Sequence, residues 1–318
     1  MRWAPDTPDK WAPDLSASDA WALDSSAGGL SLGTAIEHFL TAKAAEGASP
    51  KTIEWYRMVL GRAGRDLGAD RSLDALTPNE LRTWLLTLRE TLSPISVAGY
   101  VRGMKALGNW CRTEGLGDAT ALRTLRRPTV PQKLVEPLSD DALRRLLDAA
   151  SVRDRAIVLL MLDTGLRLSE VAGLQRCDLR PDGGAKVLGK GSRERVVPVG
   201  NVARLALLRY LRQAERTDPS EPIFRARGGG PLSARGVQQV FNRLKRRAGI
   251  TGRCSPHQLR HTFARAYLVN GGDAFSLQRI LGHATLDMVR RYVALADADL
   301  VVRHRNASPA DRLLAGVR

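Results

Sequence analysis

The chain has 318 residues, a hydrophobic fraction of 43% and 49 Lys and Arg against 33 Asp and Glu, which gives a formal net charge of +16. This length suits two folded domains with ample core, and the composition is typical of a globular protein. No apolar stretch approaches a membrane span and the N-terminus is too polar for a signal peptide, so we expect nucleic acid, and no membrane, as the polyanionic partner.

The three cysteines, Cys111, Cys177 and Cys254, are odd in number and far apart. They form neither a CxxC pair nor a Cys/His cluster, so the sequence predicts no zinc site and no disulfide framework. Free thiols suit a reducing compartment, and we expect the protein in the cytoplasm.

Residues 1–27 carry a loose repeat that begins at Trp3, Trp11 and Trp21. Five Asp against two basic residues give this segment a net charge of −3, so the remainder of the chain carries +19. Pro, Asp and Ser between the tryptophans predict a disordered acidic tail. Docking on a partner and shielding of a basic face in the absence of DNA stay open as its role, and a neutral extension or a start codon assigned too early is the favoured alternative.

Residues 28–120 are predicted to form a small bundle of four helices. Apolar residues recur at helical spacing from Ser31 onwards, and Ser49-Pro50 and the capping box Thr77-Pro78-Asn79-Glu80 mark two helix starts. The outer faces carry basic candidates for phosphate contact, for which a solvated face is the alternative: Lys51, Arg57, Arg102 and Lys105.

Prolines and basic residues without apolar periodicity predict an extended linker over residues 121–136, followed by a second domain over 137–304. In that domain Thr164-Gly165 ends a strongly apolar helix. Arg167 follows directly, where it is either an anchored functional arginine or a surface charge at a helix start.

Residues 185–199 alternate in the manner of strands around a Gly-rich turn, which predicts a β-hairpin with Lys190 in its turn. Arg193 and Arg195 adjoin the turn and are candidate DNA contacts. Ser233 to Ala248 is amphipathic. Its outer face carries side chains of the types that contact base edges, with a solvated face as the alternative: Arg235, Gln238, Gln239, Asn242, Arg243 and Arg246.

The stretch from Ser255 to Tyr292 holds the most unusual polar residues. His257 and Arg260 are three apart and share one face of a predicted helix, and His283 follows Gly282, a helix stop signal. Two histidines, an arginine and a tyrosine supply the charge neutralisation, proton transfer and nucleophile of phosphoryl transfer. The alternative is a helical segment with two hydrogen-bonded histidines and a core tyrosine. No carboxylate is placed to complete a metal site with the histidines.

Four motifs in this order, TGLRLSE, the GKG hairpin, HQLRHTFA and LGHATLDMVRRY, resemble the tyrosine recombinase (phage integrase) family over nearly the whole chain after the tail. The resemblance implies a mainly α fold with a small β-hairpin or sheet. It implies an N-terminal helical core-binding domain of SAM-like type and a C-terminal catalytic domain. The two-domain plan is similar to that of Xer recombinases, whereas the acidic tail departs from their compact plan and favours a plasmid or mobile-element enzyme.

The resemblance assigns six catalytic positions: Arg167, Lys190, His257, Arg260, His283 and Tyr292. It makes Tyr292 the nucleophile and the two arginines ligands of the scissile phosphate. We expect His257 to help remove the phenolic proton, because an unperturbed phenol has a pKa of about 10, and Lys190 to protonate the departing 5′ oxygen.

His283 is expected to hydrogen-bond the phosphate, Glu170 to orient Arg167, and His261 to give structural support. We expect no metal and no nucleotide cofactor, because a 3′-phosphotyrosine conserves the energy of the broken bond and no P-loop motif is present.

The implied function is site-specific cutting and rejoining of double-stranded DNA through a Holliday junction, for integration, excision or dimer resolution. We expect a homotetramer on DNA, a monomer or weak oligomer when free, and an accessory DNA-bending protein or second recombinase as further candidate partners. Residues 305–318 are a C-terminal tail that either exchanges between subunits or closes its own core. The alternatives are a type IB topoisomerase-like enzyme, a non-catalytic DNA-binding regulator of the same fold, and a general basic nucleic-acid binder.

Overall fold

The computed structural model describes residues 29–130, 136–189, 194–213, 218–282, 289–290, 292, 304 and 308–314. Two compact units divide the chain, Met1–Gln132 and Lys133–Arg318. The predicted acidic tail lies outside the described residues. No helix in the described ranges is long and apolar enough to cross a membrane.

The first unit is a helical bundle that comprises α1 (Leu32–Ala45), α2 (Pro50–Leu67), α3 (Pro78–Thr91), α4 (Pro94–Thr113) and the short α5 (Thr120–Arg123). A Ser or Thr side chain accepts the backbone N–H three residues ahead at the start of each of the first four helices. Thr77 and Glu80 form the complete capping box that the sequence predicts. The apolar stripes meet in one core, in which Phe39, Leu60 and Leu107 are fully buried.

The structure differs from the predicted linker at its beginning. Leu122 on α5 and Leu125 just after it are only 1% and 4% exposed and belong to the core of the bundle. Lys105 on α4 donates a hydrogen bond to the carbonyl of Leu125 at 3.2 Å. The two apolar positions are too few, among basic residues and prolines, to show periodicity in the sequence.

The second unit is helical with one hairpin. Its elements are α6 (Asp140–Asp148), α7 (Val152–Thr164), α8 (Leu168–Gly173), β1 (Gly184–Leu188), β2 (Glu194–Pro198), α9 (Asn201–Gln213), α10 (Ala234–Arg247), α11 (Pro256–Val269), α12 (Ala274–Leu281) and α13 (Pro309–Leu314). The two strands pair antiparallel, with Gly184 opposite Pro198 and Leu188 opposite Glu194. The predicted hairpin is therefore present.

Helix α7 forms the centre of the second unit and packs against α9 and α11. Two of the predicted helix stops position the residues that follow them. Gly165 ends α7 with φ +61° and Gly282 ends α12 with φ +62°, a left-handed conformation that glycine adopts without a steric cost. Of the predicted C-terminal tail, residues 308–314 are described, and Leu313 on α13 is largely exposed.

Candidate active site

Helix α11 brings three of the polar residues to one place. Ser255 caps the helix and Pro256 occupies its first turn, so that His257 and His261 stand one turn apart on the same face. Their rings meet edge to face with centroids 4.4 Å apart. The two Nε2 atoms are hydrogen bonded at 3.0 Å.

The hydroxyl of Tyr292 lies 2.6 Å from His261 Nδ1, and the tyrosine is only 4% exposed. His257 therefore contacts one ring nitrogen of His261 while the tyrosine contacts the other. The sequence assigns His261 to structural support, and the structure places its Nδ1 against the phenolic oxygen, a contact that the sequence analysis did not predict. The missed signal is the i, i+4 spacing of the two histidines, which puts both on the face that Tyr292 meets.

Arg260 is buried among backbone carbonyls. Its guanidinium donates to the carbonyl oxygen of Gly165, and to that of Leu281 at 2.7 Å. Burial, helped by the positive charge of nearby Arg167, lowers the pKa of Arg260 to about 10. The group is still protonated near pH 7, so the site holds a permanent positive charge.

Arg167 occupies the N-cap of α8 and is held by Glu170. The Arg167 backbone N–H donates to Glu170 Oε2 at 2.8 Å and its Nη1 donates to Oε1 at 2.9 Å. Its Nη2 donates to the carbonyl of Gly282 at 3.2 Å. These contacts fix the direction of a side chain that is still about one-third exposed (34%).

Arg195 on β2 is a residue of the site that the sequence suggests only as a candidate DNA contact. Its Nη1 and Nη2 each donate to one oxygen of Glu170 at 2.8 Å, and its Nε donates to the carbonyl of Ile280 at 2.9 Å. Burial raises the pKa of Glu170, but the hydrogen bonds from Arg195 and Arg167 outweigh it, and the pKa is below its usual value. Strand alternation is the available signal, because Arg195 shares the inward face of β2 with the buried Val197.

The C-terminal end of α12 provides hydrogen-bond acceptors for the three arginines of the site. Three consecutive carbonyls accept from three arginines: Ile280 from Arg195, Leu281 from Arg260 and Gly282 from Arg167. The last carbonyls of a helix lack partners within the helix and carry partial negative charge, which makes them favourable acceptors for guanidinium groups. The three arginines are thereby fixed against one another.

Three of the predicted site residues lie outside the described residues: Lys190, Arg193 and His283. In the sequence, Lys190 and Arg193 lie between β1 and β2, and His283 follows Gly282 directly. Among the residues that the structure describes, no group of three or more His, Cys, Asp or Glu is arranged to hold a metal ion. The three cysteines are free.

The candidate base-contacting residues on α10 divide into two kinds. Arg235, Gln239, Asn242 and Arg246 are exposed, and Gln238 is half-buried and donates to Asn242 Oδ1 at 3.2 Å. Arg243 differs from the prediction of an outward side chain. Its Nη2 donates at 2.6 Å to Asp154, which is 2% exposed and also pairs with Arg153. A buried carboxylate requires such partners, and this draws Arg243 towards the body of the unit.

In the bundle, Lys51 and Arg57 are exposed. The guanidinium of Arg102 stacks on the Trp55 ring at 4.3 Å. Arg102 and Lys105 line a groove of about 510 Å³, whose lining also includes Arg126 and Arg127. The groove is thus basic.

A tyrosine hydroxyl beside imidazoles, together with firmly held guanidiniums, is a combination of groups that suits the breaking and joining of phosphodiester bonds. Residues 136–299 match the model of the phage integrase family. The chain belongs to this family, the tyrosine recombinases, which cleave and rejoin DNA.

Curated relatives match over most of the chain. A tyrosine recombinase XerC from Nitrobacter winogradskyi is 32% identical over 302 residues, which cover 87% of this chain and 94% of that protein. A tyrosine recombinase XerD from Mycobacterium tuberculosis is 32% identical over 273 residues, which cover 77% of this chain and 88% of that protein. The similarity therefore includes much of the bundle as well as the second unit.

Solved structures share the fold. The crystal structure of XerA recombinase is 26% identical with a TM-score of 0.50, over 87% of this chain and 99% of that one. A lambda integrase tetramer bound to a Holliday junction is 20% identical with a TM-score of 0.72, over 84% of this chain and 78% of that one. The predicted fold class, mainly helical with one small hairpin, is confirmed.

Proposed function

We propose that this tyrosine recombinase attacks double-stranded DNA with Tyr292 at a specific site and holds each broken strand as a 3′-phosphotyrosine. One observation carries the proposal. The buried hydroxyl of Tyr292 is hydrogen bonded to a histidine on the same helix as Arg260, and it interacts electrostatically with that arginine. A phenolic nucleophile, an imidazole and a fixed positive charge are thus present together.

In the proposed mechanism Arg167 and Arg260 bind the non-bridging oxygens of the scissile phosphate. Both guanidiniums are held in place by protein acceptors before DNA arrives, so they need little reorganisation in the transition state. Arg260 keeps its charge near pH 7 even though burial lowers its pKa to about 10. The pair supplies the charge stabilisation that phosphoryl transfer requires.

The proton transfers complete the step. As the bond from Tyr292 Oη to phosphorus forms, the phenolic proton passes to the histidine pair of α11 and the bond from phosphorus to the 5′ oxygen breaks. We assign the proton for that departing oxygen to Lys190, and a hydrogen bond to the phosphate to His283. The family resemblance alone supports these two assignments. A 5′-hydroxyl from another strand reverses the chemistry and rejoins the DNA.

Two basic surfaces are the proposed DNA contacts. On α10 the exposed side chains are Arg235, Gln239, Asn242 and Arg246, of types that bind base edges or phosphates. In the bundle, the groove beside Arg102 and Lys105 suits phosphates. The net charge of +16 favours a polyanionic partner for both.

Strand exchange between two duplexes requires four cuts, so the proposal includes a homotetramer and a Holliday junction intermediate. The junction-bound lambda integrase tetramer is a structural neighbour of this chain. Residues 305–318 are proposed to pass between subunits, and a bending protein or a second recombinase to assist. We place this activity in the cytoplasm. Exchange at the attachment site of a mobile element is the proposed purpose, and resolution of chromosome dimers at the host's own dimer site is the alternative.

The test is covalent trapping on nicked suicide duplexes that tile the DNA flanking the coding sequence. The account predicts a protein–DNA band on a denaturing gel that Tyr292→Phe abolishes, and sequencing of the trapped DNA identifies the site. A band that persists in Tyr292→Phe contradicts the nucleophile. Relaxation of any supercoiled plasmid by a monomer would favour a topoisomerase, and site-specific binding without a band in the wild type would favour a DNA-binding regulator.

A further inference from the structure

Three side chains form a continuous hydrogen-bonded series in the second unit. The hydroxyl of Tyr292 meets His261 Nδ1 at 2.6 Å, and His261 Nε2 meets His257 Nε2 at 3.0 Å. His261 therefore lies between the proposed nucleophile and the other histidine, and it uses both ring nitrogens.

We propose that His261 is the general base of the cleavage step, and that His257 acts behind it as the acceptor that orients its ring. The inference rests on the proposed role of Tyr292 as nucleophile. In a neutral imidazole one nitrogen carries the proton and the other accepts. If Tyr292 donates to Nδ1, then Nε2 of His261 carries its proton and donates to His257 Nε2. Each of the three groups then has one defined role.

The proton balance follows from this arrangement. When Tyr292 Oη attacks phosphorus, its proton moves 2.6 Å along an existing hydrogen bond to His261 Nδ1, and no side chain has to rotate. The product is an imidazolium whose Nε2–H remains bonded to neutral His257. In the reverse reaction the same proton returns to Oη as the phosphotyrosine bond breaks. His261 thus acts as base in cleavage and as acid in rejoining.

The surroundings of His257 favour its proposed role as a neutral hydrogen-bond acceptor for His261. Burial lowers the pKa of His257, and the positive charge of Arg260, three residues further along α11, lowers it in the same direction. Near pH 7 His257 is neutral and able to accept. The edge-to-face packing of the two rings, with planes 82° apart, holds their facing nitrogens together. This resembles the way in which a buried acceptor holds the base histidine of a catalytic triad.

A direct test observes the tautomer of His261 in the free protein, without DNA. The protein is labelled with ¹⁵N-histidine, and the five histidines are assigned with His257→Gln, His261→Asn and single variants of the others. The inference predicts that His261 Nδ1 is unprotonated and hydrogen bonded, and that Nε2 carries the proton. A protonated Nδ1 in neutral His261, which would donate to the phenol rather than accept from it, overturns the inference.

A kinetic test distinguishes a general-base role of His261 from a purely structural role. Asn at position 261 places a hydrogen-bonding atom near the location of Nδ1 but takes up no proton. On the trapped duplex we expect His261→Asn to lower the single-turnover cleavage rate by about 10²–10⁴-fold while DNA affinity stays unchanged. Replacement of Tyr292 with 3,5-difluorotyrosine, whose phenol ionises more readily, should recover part of that loss in His261→Asn.

The outcomes are distinct. A wild-type rate in His261→Asn shows that the hydrogen bond only positions the tyrosine, and it overturns the inference while the proposed function stands. A slow variant that difluorotyrosine does not rescue also contradicts a role as base. No adduct in the wild type, on DNA that it binds specifically, overturns both the nucleophile and this inference.

Discussion

Glu170 and Arg195 form a bidentate ion pair with both N–O distances at 2.8 Å, and the Glu170 side chain is only 3% exposed. The same carboxylate accepts from the backbone and side chain of Arg167. One buried acid therefore connects strand β2 to a proposed phosphate ligand. Arg195 is the second residue of β2, so this pair anchors the hairpin close to the segment of sequence that contains Lys190, the proposed general acid.

Glu170→Gln should destabilise the second unit. The change leaves Arg195 mostly buried without its counter-charge, and loss of one partner of a buried ion pair costs about 3–5 kcal/mol. Chemical denaturation measures the free energy of unfolding. The matched control is Glu194→Gln, which removes the exposed pair with Lys186 and should have a much smaller effect. Equal losses in the two variants would contradict a structural role for Glu170.

Arg195→Lys should slow cleavage without weakening DNA binding. Lysine keeps the positive charge but replaces the fork that binds both oxygens of Glu170, so the hairpin and Arg167 lose their fixed relation. We expect the single-turnover rate of adduct formation to fall about tenfold, since small misplacements of catalytic groups reduce rates strongly. The control is Arg180→Lys, at an exposed pair with Asp182. A loss confined to DNA affinity would show that Arg195 contacts DNA instead.

Gly165→Ala should damage both stability and the site. Gly165 has φ +61°, its carbonyl accepts from Arg260, and an added Cβ would collide with the Phe263 ring and with Leu281. Strain and overpacking together should cost at least about 2 kcal/mol. The control is Gly173→Ala at the end of α8, where a Cβ meets nothing within 4 Å. That variant should change stability by about 1 kcal/mol or less.

The cleavage rate should depend on pH through His257. Burial and the neighbouring Arg260 lower the pKa of His257 below its ordinary value of 6.5. The ring is therefore neutral at pH 7 and becomes protonated only when the pH falls below 6.5. Protonated His257 no longer accepts from His261 Nε2. The rate of adduct formation should therefore be steady between pH 7 and 8 and fall as the pH drops below 6.5.

His257→Gln provides the matched control, because glutamine places a hydrogen-bonding atom near Nε2 without titrating. Its acid inflection in cleavage rate should be displaced from that of the wild type, because one of the two hydrogen-bonded histidines no longer titrates. An inflection unchanged in the variant would assign the titration to another group.

Local signals in the sequence predicted much of the fold. The capping box at Thr77, the glycine stops at Gly165 and Gly282, and the alternating hairpin all appear where expected, because each depends on residues within a few positions. Helix α9 was not predicted from the sequence. It buries one stripe while Val202 and Leu205 on its other side are exposed, which blurs the apolar pattern.

The contacts that form the candidate active site join residues far apart in the sequence, and local sequence patterns do not predict them. Arg195 meets Glu170 across 25 residues, and Tyr292 meets His261 across 31. Arg243 was expected to face outward, but Asp154, 89 residues earlier, binds it. Such pairs depend on how helices pack, which periodicity within one helix does not encode.

The most direct test of the account is to identify the residue that carries the trapped DNA. After nuclease trimming and trypsin digestion, mass spectrometry should find a 3′-phosphonucleotide on the peptide of residues 292–303, attached to Tyr292. The chain has five tyrosines, so the experiment can assign the DNA to a tyrosine other than Tyr292. A nucleotide on any other residue, or an adduct that forms unchanged in Tyr292→Phe, would contradict the central claim that Tyr292 is the nucleophile.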